Sequence, residues 1–322
     1  MERNITLDST KIILSFMVIA VHCSFLSEYN SSFYYLVINS LFRICIPVFF
    51  IINGYYLYVF IEKKTIKTWL KKATIIYLFL MVLYAYFWLD LTSFNLWKII
   101  FKITFGYFHL WYLPAMILGS LCLLFLKDLP NRVLFFIAFF HFIIGLTIQY
   151  IARFHLLSHY ILIDKIINNL SFYRNFLFIG FPFITLGFLI HKIRIIQKVN
   201  RNMILLSTLT FSILFTLENI LIQNNIATIP IVEFQISYWI GAPLLFILVM
   251  KKSKYSSTKN ALSFYSMIIY FIHPIIILFL LKLVAVEPTP MTFLTILFSI
   301  TIAYLGVKLK QSIHKWRKNR SF

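Results

Sequence analysis

The chain has 322 residues, of which 61% are hydrophobic and only 12% are charged, and its formal net charge is +20. Soluble domains are about 45–50% apolar and about 25% charged, so this composition excludes them and is typical of a polytopic membrane protein. The basic residues lie between apolar runs, where the positive-inside rule accounts for them. We therefore expect the lipid bilayer, and no nucleic acid, as a partner.

The apolar runs predict an all-α polytopic membrane protein with about ten transmembrane helices, because a span needs about 20 mostly apolar residues. The candidate spans are 10–27, 34–60, 73–90, 109–126, 133–152, 174–191, 203–222, 236–250, 261–282 and 291–308. Between the third and fourth, the amphipathic run 94–108 predicts an interfacial or re-entrant piece. We expect one integral-membrane domain over 1–322, with no appended soluble domain.

Basic residues are distributed unevenly over the connections. One alternating set, which includes both termini and the basic 62–72 loop, holds 23 Lys and Arg residues, and the other set holds at most six. Cytoplasmic connections carry the excess of basic residues. Both termini are therefore predicted to be cytoplasmic, and 153–173 is the longest outer connection.

Cysteine and histidine spacing gives no support for a metal or disulfide framework. Cys23, Cys45 and Cys122 all fall in apolar runs without a C-x-x-C pattern, which favours packing roles. His155 and His159 are four residues apart in the outer connection, but a zinc site needs further ligands. We expect no metal site.

The first span carries a polar stripe. Asp8, Lys11, Ser15 and His22 are spaced by three, four and seven residues, which places them on one face of a helix. Because an ionisable residue at membrane depth costs about 2.5–3.5 kcal/mol, such residues indicate functional sites. We expect Asp8 to pair with Lys11 and His22 to lie well inside the span, ~16 Å beyond Lys11. A structural, hydrogen-bonded His22 is the alternative.

Two further charged residues fall inside apolar runs. Arg43 shares a helix face with Pro47 and Gly54, and it must meet an anion or water because it stays protonated. Pro47 predicts a kink that frees a backbone carbonyl near Arg43. Glu218 is the carboxylate at mid-span, and either structural pairing with Arg43 or acid–base chemistry would explain it.

At these residues the sequence resembles the membrane-integral acyltransferase-3 family, along essentially the whole chain. The family motifs are an R-x-x-x-x-D signature, a basic residue and a histidine with ten residues between them, an R-x-x-x-P-x-F-F-x-x-S-G-Y stretch, an H-L-W-Y-L segment, a glutamate in span seven and a late I-Y-x-I-H-P segment. Here they correspond to Arg3 and Asp8, Lys11 and His22, RICIPVFFIINGY from Arg43, HLWYL from His109, Glu218, and IIYFIHP containing His273. In this chain Lys11 replaces the usual arginine and Asn53 the usual serine.

The resemblance implies acyl transfer, with acetyl from cytosolic acetyl-CoA as the usual donor and no bound cofactor. The acceptor would be a hydroxyl of an extracytoplasmic or lipid-linked glycan, such as capsular or exopolysaccharide, at the plasma membrane of a bacterium. The implied catalytic residues are His22, Arg43 and Glu218. The implied donor- or substrate-binding residues are Arg3, Asp8, Lys11, Asn53, His109, Trp111, Arg174 and His273.

Other functions stay open on the residues alone. Polar residues in helices broken by Pro and Gly also suit a transporter or flippase for a glycan or small solute, although no inverted repeat is visible. A sensor or binding module is the third alternative. A homo-oligomer is compatible with the sequence.

Overall fold

The computed structural model describes residues 3–90, 95–224, 232–256 and 262–319, with the side chains of residues 3, 224 and 313–319 outside that description. The chain divides into two compact units. The terminal unit combines Met1–Cys45 with Leu248–Phe322, and the central unit is Ile46–Ile247. The site residues implied by the resemblance are thus shared between two units.

Helices make up nearly all of the described structure. In chain order they are α1 (Ile5–His22), α2 (Ser31–Phe33), α3 (Cys45–Glu62), α4 (Ile66–Leu83), α5 (Ala85–Trp88), α6 (Leu96–Phe105), α7 (Tyr112–Leu126), α8 (Asn131–Arg153), α9 (Ile161–Ile167), α10 (Phe181–Lys192), α11 (Ile195–Lys198), α12 (Arg201–Asn224), α13 (Tyr238–Lys251), α14 (Leu262–Leu283) and α15 (Pro288–Asn319). π-Helices span Tyr34–Ser40 and Phe176–Gly180, and 3₁₀-helices span Leu41–Ile44, Phe108–Trp111 and Leu170–Phe172. Strands β1 (Arg3–Asn4) and β2 (Tyr255–Ser256) pair antiparallel.

Seven helices in the described ranges are long and apolar enough to cross a membrane. They are Ile5–His22, Ser31–Glu62, Phe108–Leu126, Asn131–Arg153, Arg201–Gln223, Leu262–Leu283 and Pro288–Ser312, and Phe176–Lys192 and Tyr238–Lys251 are apolar but shorter. The structure therefore confirms a helical, multi-pass architecture. The count of ten and the cytoplasmic termini stay predictions.

The predicted span 73–90 differs most from the structure. Its helix, α4, begins at Ile66 and ends at Leu83, so much of the expected 62–72 loop is helical. Lys67, Lys71 and Lys72 lie in the first two turns of α4 and make that half too polar for hydrocarbon. The amphipathic run before span four does form a helix, α6, and none of its residues is buried.

Polar contacts fix where α1 begins. The Asn4 side chain accepts a hydrogen bond from the Leu7 amide at 3.0 Å and donates to Ser253 Oγ at 2.7 Å. An N-cap asparagine supplies an acceptor that the first helical turn lacks, and β1 pairs Asn4 with Tyr255. The helix therefore starts at Ile5 rather than at residue 10.

The end of α1 is equally well defined. Ser24 and Leu26 adopt φ values of 56° and 64°, a left-handed conformation that cannot continue a helix. The Leu26 amide donates to Thr289 Oγ1 at 3.0 Å, which ties this turn to the start of α15. The predicted extension of the helix to residue 27 is therefore wrong.

The core of the terminal unit lies between α1, α14 and α15. Ile19, Ile269, Ile276 and Ala303 form part of one buried apolar cluster there. Ile19, near the end of α1, packs in this cluster. The packing fixes the rotation of α1 against α14 and so sets the direction in which its polar stripe points. That direction decides which residues His22 meets.

In the central unit, α3 and α10 approach closely at two glycines. A Cβ on Gly54 would overlap the carbonyl group of Ile184, and a Cβ on Gly187 would overlap that of Ile51. Small residues let the backbones of membrane helices approach in this way. The reciprocal contact fixes how α10 lies on α3.

We expect Gly187→Ala to destabilise the protein by about 1–3 kcal/mol, because the added methyl group meets backbone that cannot yield. Thermal unfolding of the detergent-purified protein measures the effect. Gly306→Ala is the matched control, since its Cβ would meet only the flexible end of Ile268, at 3.0 Å. Equal unfolding temperatures for the two variants would contradict this packing.

Candidate functional site

Two histidines meet in the terminal unit. The ring centroids of His22 and His273 are 5.3 Å apart, with 35° between the ring planes. His273 lies within α14 and is fully buried, and its Nδ1 is 3.3 Å from the carbonyl oxygen of Ile269. The Tyr270 ring lies 6.0 Å from His273. The sequence motifs around His22 and His273, which are 251 residues apart, therefore form one paired-imidazole site.

The structure corrects the expected depth of His22. His22 is the last residue of α1 and not an interior residue of the helix. The partly buried side chain thus lies where the backbone turns away, beside the first turn-forming residues. The last carbonyl groups of a helix lack intrahelical partners, so His22 lies beside backbone acceptors that a helix interior does not offer.

The opposite end of α1 carries the predicted ion pair. Lys11 Nζ lies 3.1 Å from Asp8 Oδ1, and Asp8 is only 4% exposed. Further along the stripe, the Ser15 hydroxyl lies 2.9 Å from the Lys11 carbonyl oxygen and 3.2 Å from that of Ser266 on α14. The stripe faces the protein interior, as its spacing predicts. Arg3 pairs through its backbone in β1, and its side chain lies outside the described part.

Arg43 lies on a break in the second span. The π-helix Tyr34–Ser40 and the 3₁₀-helix Leu41–Ile44 interrupt the regular hydrogen bonding directly before Pro47, as the proline predicts. Arg43 Nε donates to Asn39 Oδ1 at 2.8 Å. The 3₁₀-helix packs against α1, so Arg43 and His22 lie on neighbouring elements of the same unit.

The remaining expected binding residues lie in the central unit. Asn53 donates to the Phe49 carbonyl oxygen at 2.8 Å and also to the Tyr112 hydroxyl. His109 is 1% exposed, and its ring lies 5.0 Å from that of Tyr84. These contacts make both residues part of the packed interior of α3, α4 and α7.

Arg174 has two partners in the central unit. Its guanidinium carbon lies 5.0 Å from the centroid of Trp111, and Nη1 lies 3.2 Å from Glu233 Oε2. An arginine stacks well on an aromatic face while it pairs with a carboxylate. Trp111 and Arg174, both expected as substrate-binding residues, are therefore brought together by the fold.

Glu218 holds a non-helical segment. Its Oε1 accepts hydrogen bonds from the Tyr150 hydroxyl and, at 2.8 Å, from the Ile236 amide, while Oε2 accepts from the Ser237 amide at 3.2 Å. Non-helical backbone at membrane depth must find such partners inside the protein. Glu218, on α12, therefore holds the segment 232–237 in place through these hydrogen bonds.

Neighbouring amides complete this attachment. Gln149 Oε1 accepts from the Glu233 amide at 2.8 Å and from the Phe234 amide at 3.1 Å. Gln235 Nε2 donates to Asn219 Oδ1 at 3.1 Å, and both side chains are buried. We call Gln149, Tyr150, Glu218, Asn219 and Gln235 the polar clamp. Through Glu233, the polar clamp also sets the position of Arg174.

Apart from Glu218, the residues of the polar clamp were not predicted from the sequence. Gln149 and Tyr150 form a polar pair in an otherwise apolar run, and VEFQIS at 232–237 places polar residues beside an expected span. Polar side chains within or beside an apolar run indicate that they have hydrogen-bond partners inside the protein. Tyr173 was also missed: burial raises the pKa of its hydroxyl to about 12, so its ring remains a neutral phenol at physiological pH.

The paired imidazoles can carry out proton transfer. One neutral imidazole presents a nitrogen that accepts a proton, and a second ring beside it can hold the first in position. Within the described ranges, no group of three or more His, Cys, Asp or Glu side chains is placed to hold a metal ion. A neutral imidazole of this pair has the chemical character of a general acid or base.

We expect Glu218→Gln to destabilise the protein by about 1–3 kcal/mol, because its new NH₂ group would face a buried amide donor. Thermal unfolding and limited proteolysis at 232–237 would both report the loss. The control is Glu62→Gln, since Glu62 is exposed at the end of α3. If Glu218→Gln unfolds and is cleaved like the wild type, the polar clamp does not hold this segment.

Comparison with known proteins supplies the wider context. A serine/alanine racemase of Enterococcus gallinarum is 26% identical over 355 residues, which cover 99% of this chain and 47% of the relative. An amino-acid racemase of Enterococcus faecalis is 30% identical over 154 residues, 44% of this chain and 21% of that protein. The chain thus spans about half the length, or less, of these curated relatives. No solved structure matches it significantly.

The family comparison covers nearly the whole chain. The acyltransferase-3 model, which describes an acyltransferase domain, matches residues 4–308. The match includes both histidines of the pair, the Asp8–Lys11 ion pair, Arg43 and the polar clamp. The chain therefore belongs to the acyltransferase-3 family, and its apolar helices are those of a multi-pass membrane protein.

Proposed function

We propose that this chain transfers an acyl group, with acetyl the expected one, from cytosolic acyl-CoA to a hydroxyl of an extracytoplasmic or lipid-linked glycan. The observation that carries the proposal is the His22–His273 pair, with ring centroids 5.3 Å apart, in which His22 ends the helix that bears Lys11. Capsular polysaccharide or exopolysaccharide is the expected acceptor class. The expected location is the plasma membrane of a bacterium, with both termini in the cytoplasm.

The two ends of α1 have different roles in the proposed reaction. Lys11 lies near the end predicted to face the cytoplasm, where its charge favours the phosphate groups of acyl-CoA. His22 lies ~16 Å further along the helix axis. A donor held at Lys11 can therefore direct its thioester along α1 toward His22, while an acceptor approaches from the other side of the membrane.

The reaction needs one base. His22 accepts the proton of the acceptor hydroxyl while the hydroxyl oxygen attacks the thioester carbonyl carbon. The carbon–sulfur bond then breaks, the ester forms, and the departing CoA thiolate takes the proton from the His22 imidazolium. His273 orients the His22 ring through their contact. Arg43, on the element packed against α1, stabilises the transient oxyanion.

Within the central unit, Trp111 and Arg174 remain proposed donor- or substrate-binding residues, and Arg174 stacks on Trp111 there. Asn53 and His109 of the same unit are proposed for the same role. Glu218 was expected to act in catalysis or to pair with Arg43. Because its carboxylate oxygens already accept three hydrogen bonds from the central unit, we assign it a structural role instead.

We expect His22→Gln to lower the rate of acyl transfer by about 10²–10⁴-fold, the usual contribution of a general base. Membranes with matched protein amounts would be given radiolabelled acetyl-CoA, and the O-acetylation of surface glycan would be followed by NMR. His159→Gln is the control, because His159 is exposed in the connection before α9. Transfer by His22→Gln at the wild-type rate would overturn the proposed base.

A second candidate function is movement of a glycan or small solute across the membrane. The break in the second span, where a π-helix and a 3₁₀-helix precede Pro47, is a feature that transporters also use. Release of free CoA from acetyl-CoA by the purified protein separates the two functions. Acyl transfer requires CoA release that depends on an acceptor hydroxyl, whereas transport proceeds without any donor.

A further inference from the structure

A buried asparagine holds the guanidinium group of Arg43. Asn39 is only 3% exposed and lies on the π-helix Tyr34–Ser40, next to the 3₁₀-helix that carries Arg43. Its Oδ1 accepts a hydrogen bond from Arg43 Nε at 2.8 Å. In this span the motif of the family resemblance begins at Arg43, so it does not include Asn39. The contact therefore involves a residue to which neither the sequence motifs nor the proposed reaction gives a role.

The Asn39–Arg43 hydrogen bond crosses the break in the second span. In a regular α-helix, with φ about −63° and ψ about −42°, side chains four residues apart are neighbours. Here Ser40, between the two residues, has φ −114° and ψ −76°, and the wide π-helical turns give way to a tight 3₁₀ turn. Such π-helical turns are frequent at functional sites. The bond therefore connects the two sides of an irregular junction and ties Arg43 to the π-helix.

The bond also orients the guanidinium group. Of the five coplanar N–H groups of an arginine, one is on Nε and four are on the Nη atoms. Because Asn39 holds Nε, the plane of the group and the direction of its Nη atoms are set. An arginine side chain that is not held populates many rotamers, and electrostatic catalysis depends on donors that are ordered before the reaction begins. The contact with Asn39 supplies such order.

Asn39 provides an acceptor that carries no charge. A carboxylate at the same place would accept the same hydrogen bond, but it would also compensate the positive charge of Arg43. In the proposed reaction this charge stabilises the oxyanion that forms when the hydroxyl attacks the thioester, and a compensated charge stabilises an oxyanion less. A neutral acceptor therefore suits an arginine that must be oriented and must still attract an anion.

We propose that Asn39 is the positioning residue for Arg43. By holding Nε, it fixes the guanidinium in the orientation that stabilises the oxyanion of acyl transfer, and it acts through Arg43 rather than on the substrate. The inference rests on the proposed function, which assigns the oxyanion to Arg43. It goes further because it makes the reaction rate depend on residue 39 only while Arg43 is present.

The test is a double-mutant cycle in membranes that contain matched amounts of the full-length protein. Radiolabelled acetyl-CoA is the donor, the surface glycan of the same membranes is the acceptor, and acetyl-CoA is varied to obtain kcat and KM. We expect Asn39→Ala to lower kcat about ten- to a hundredfold, part of what one oxyanion donor contributes, with little change in KM. In an Arg43→Gln background the same change should lower kcat by less than about threefold, because no guanidinium remains to be oriented.

A second variant separates positioning from a structural role. Asn39→Asp has nearly the same shape and still accepts from Arg43, so a purely structural contact predicts wild-type activity. We expect instead that kcat falls by at least about tenfold, because the carboxylate compensates the charge, while the unfolding temperature stays close to that of the wild type. Asn200→Ala is the control, since Asn200 is exposed and caps the Met203 amide at 2.9 Å. This control should leave kcat unchanged.

Three results would overturn the inference. The first is transfer by Asn39→Asp at the wild-type kcat. The second is an equal loss of kcat on Asn39→Ala in the wild-type and the Arg43→Gln backgrounds, which would mean that Asn39 does not act through Arg43. The third is a rise in KM for Asn39→Ala with kcat unchanged. All three leave the proposed function intact, whereas the absence of label transfer by the wild type would overturn that function and this inference with it.

Discussion

Hydrocarbon offers no hydrogen-bond partner, and this constraint explains where the main buried polar groups of the described spans lie. In the terminal unit it turns the stripe of α1 toward α14, where Ser15 reaches the Ser266 carbonyl and His22 reaches His273. In the central unit it gives the segment 232–237 its partners on α8 and α12. The same rule thus builds both the candidate catalytic pair and the frame of the binding residues.

The functional residues collect where the helices are irregular. His22 ends α1, Arg43 lies on a 3₁₀-helix between a π-helix and α3, and Trp111 ends the 3₁₀-helix before α7. Regular helices satisfy their own backbone and leave little free to bind a substrate. Breaks in them expose carbonyl and amide groups and redirect side chains, at a cost that the surrounding packing must offset. The close contact of α3 with α10 at Gly54 and Gly187 provides such packing in the central unit.

The sequence predicts some of this structure well. Spacing alone places Asp8, Lys11 and Ser15 on one inward face, because a helix has a fixed period. The prediction from sequence fails at the end of α1, because the residue types do not indicate that Ser24 and Leu26 adopt a left-handed conformation. The prediction from sequence also fails for α4, because lysines occupy the first half of this helix while its apolar second half resembles part of a membrane span.

The main limit on prediction from the sequence was that residues which bond to each other lie far apart along the chain. Glu218 reads as a lone carboxylate at mid-span because Tyr150 and Ile236, which bond to it, lie in separate segments. By contrast, the similarity to the acyltransferase-3 family covers residues 4–308, so the family could be predicted from motifs in order along the chain.

In the proposed function, an acyl group is transferred beside α1 from a donor on the Lys11 side to an acceptor on the other side of the membrane. The most direct measurement uses proteoliposomes with one protein orientation, radiolabelled acetyl-CoA outside or inside, and a glycan acceptor on the opposite side. The account predicts CoA release on the side of the termini and labelled ester on the other. Labelled ester on the donor side, or solute movement without CoA release, would contradict it.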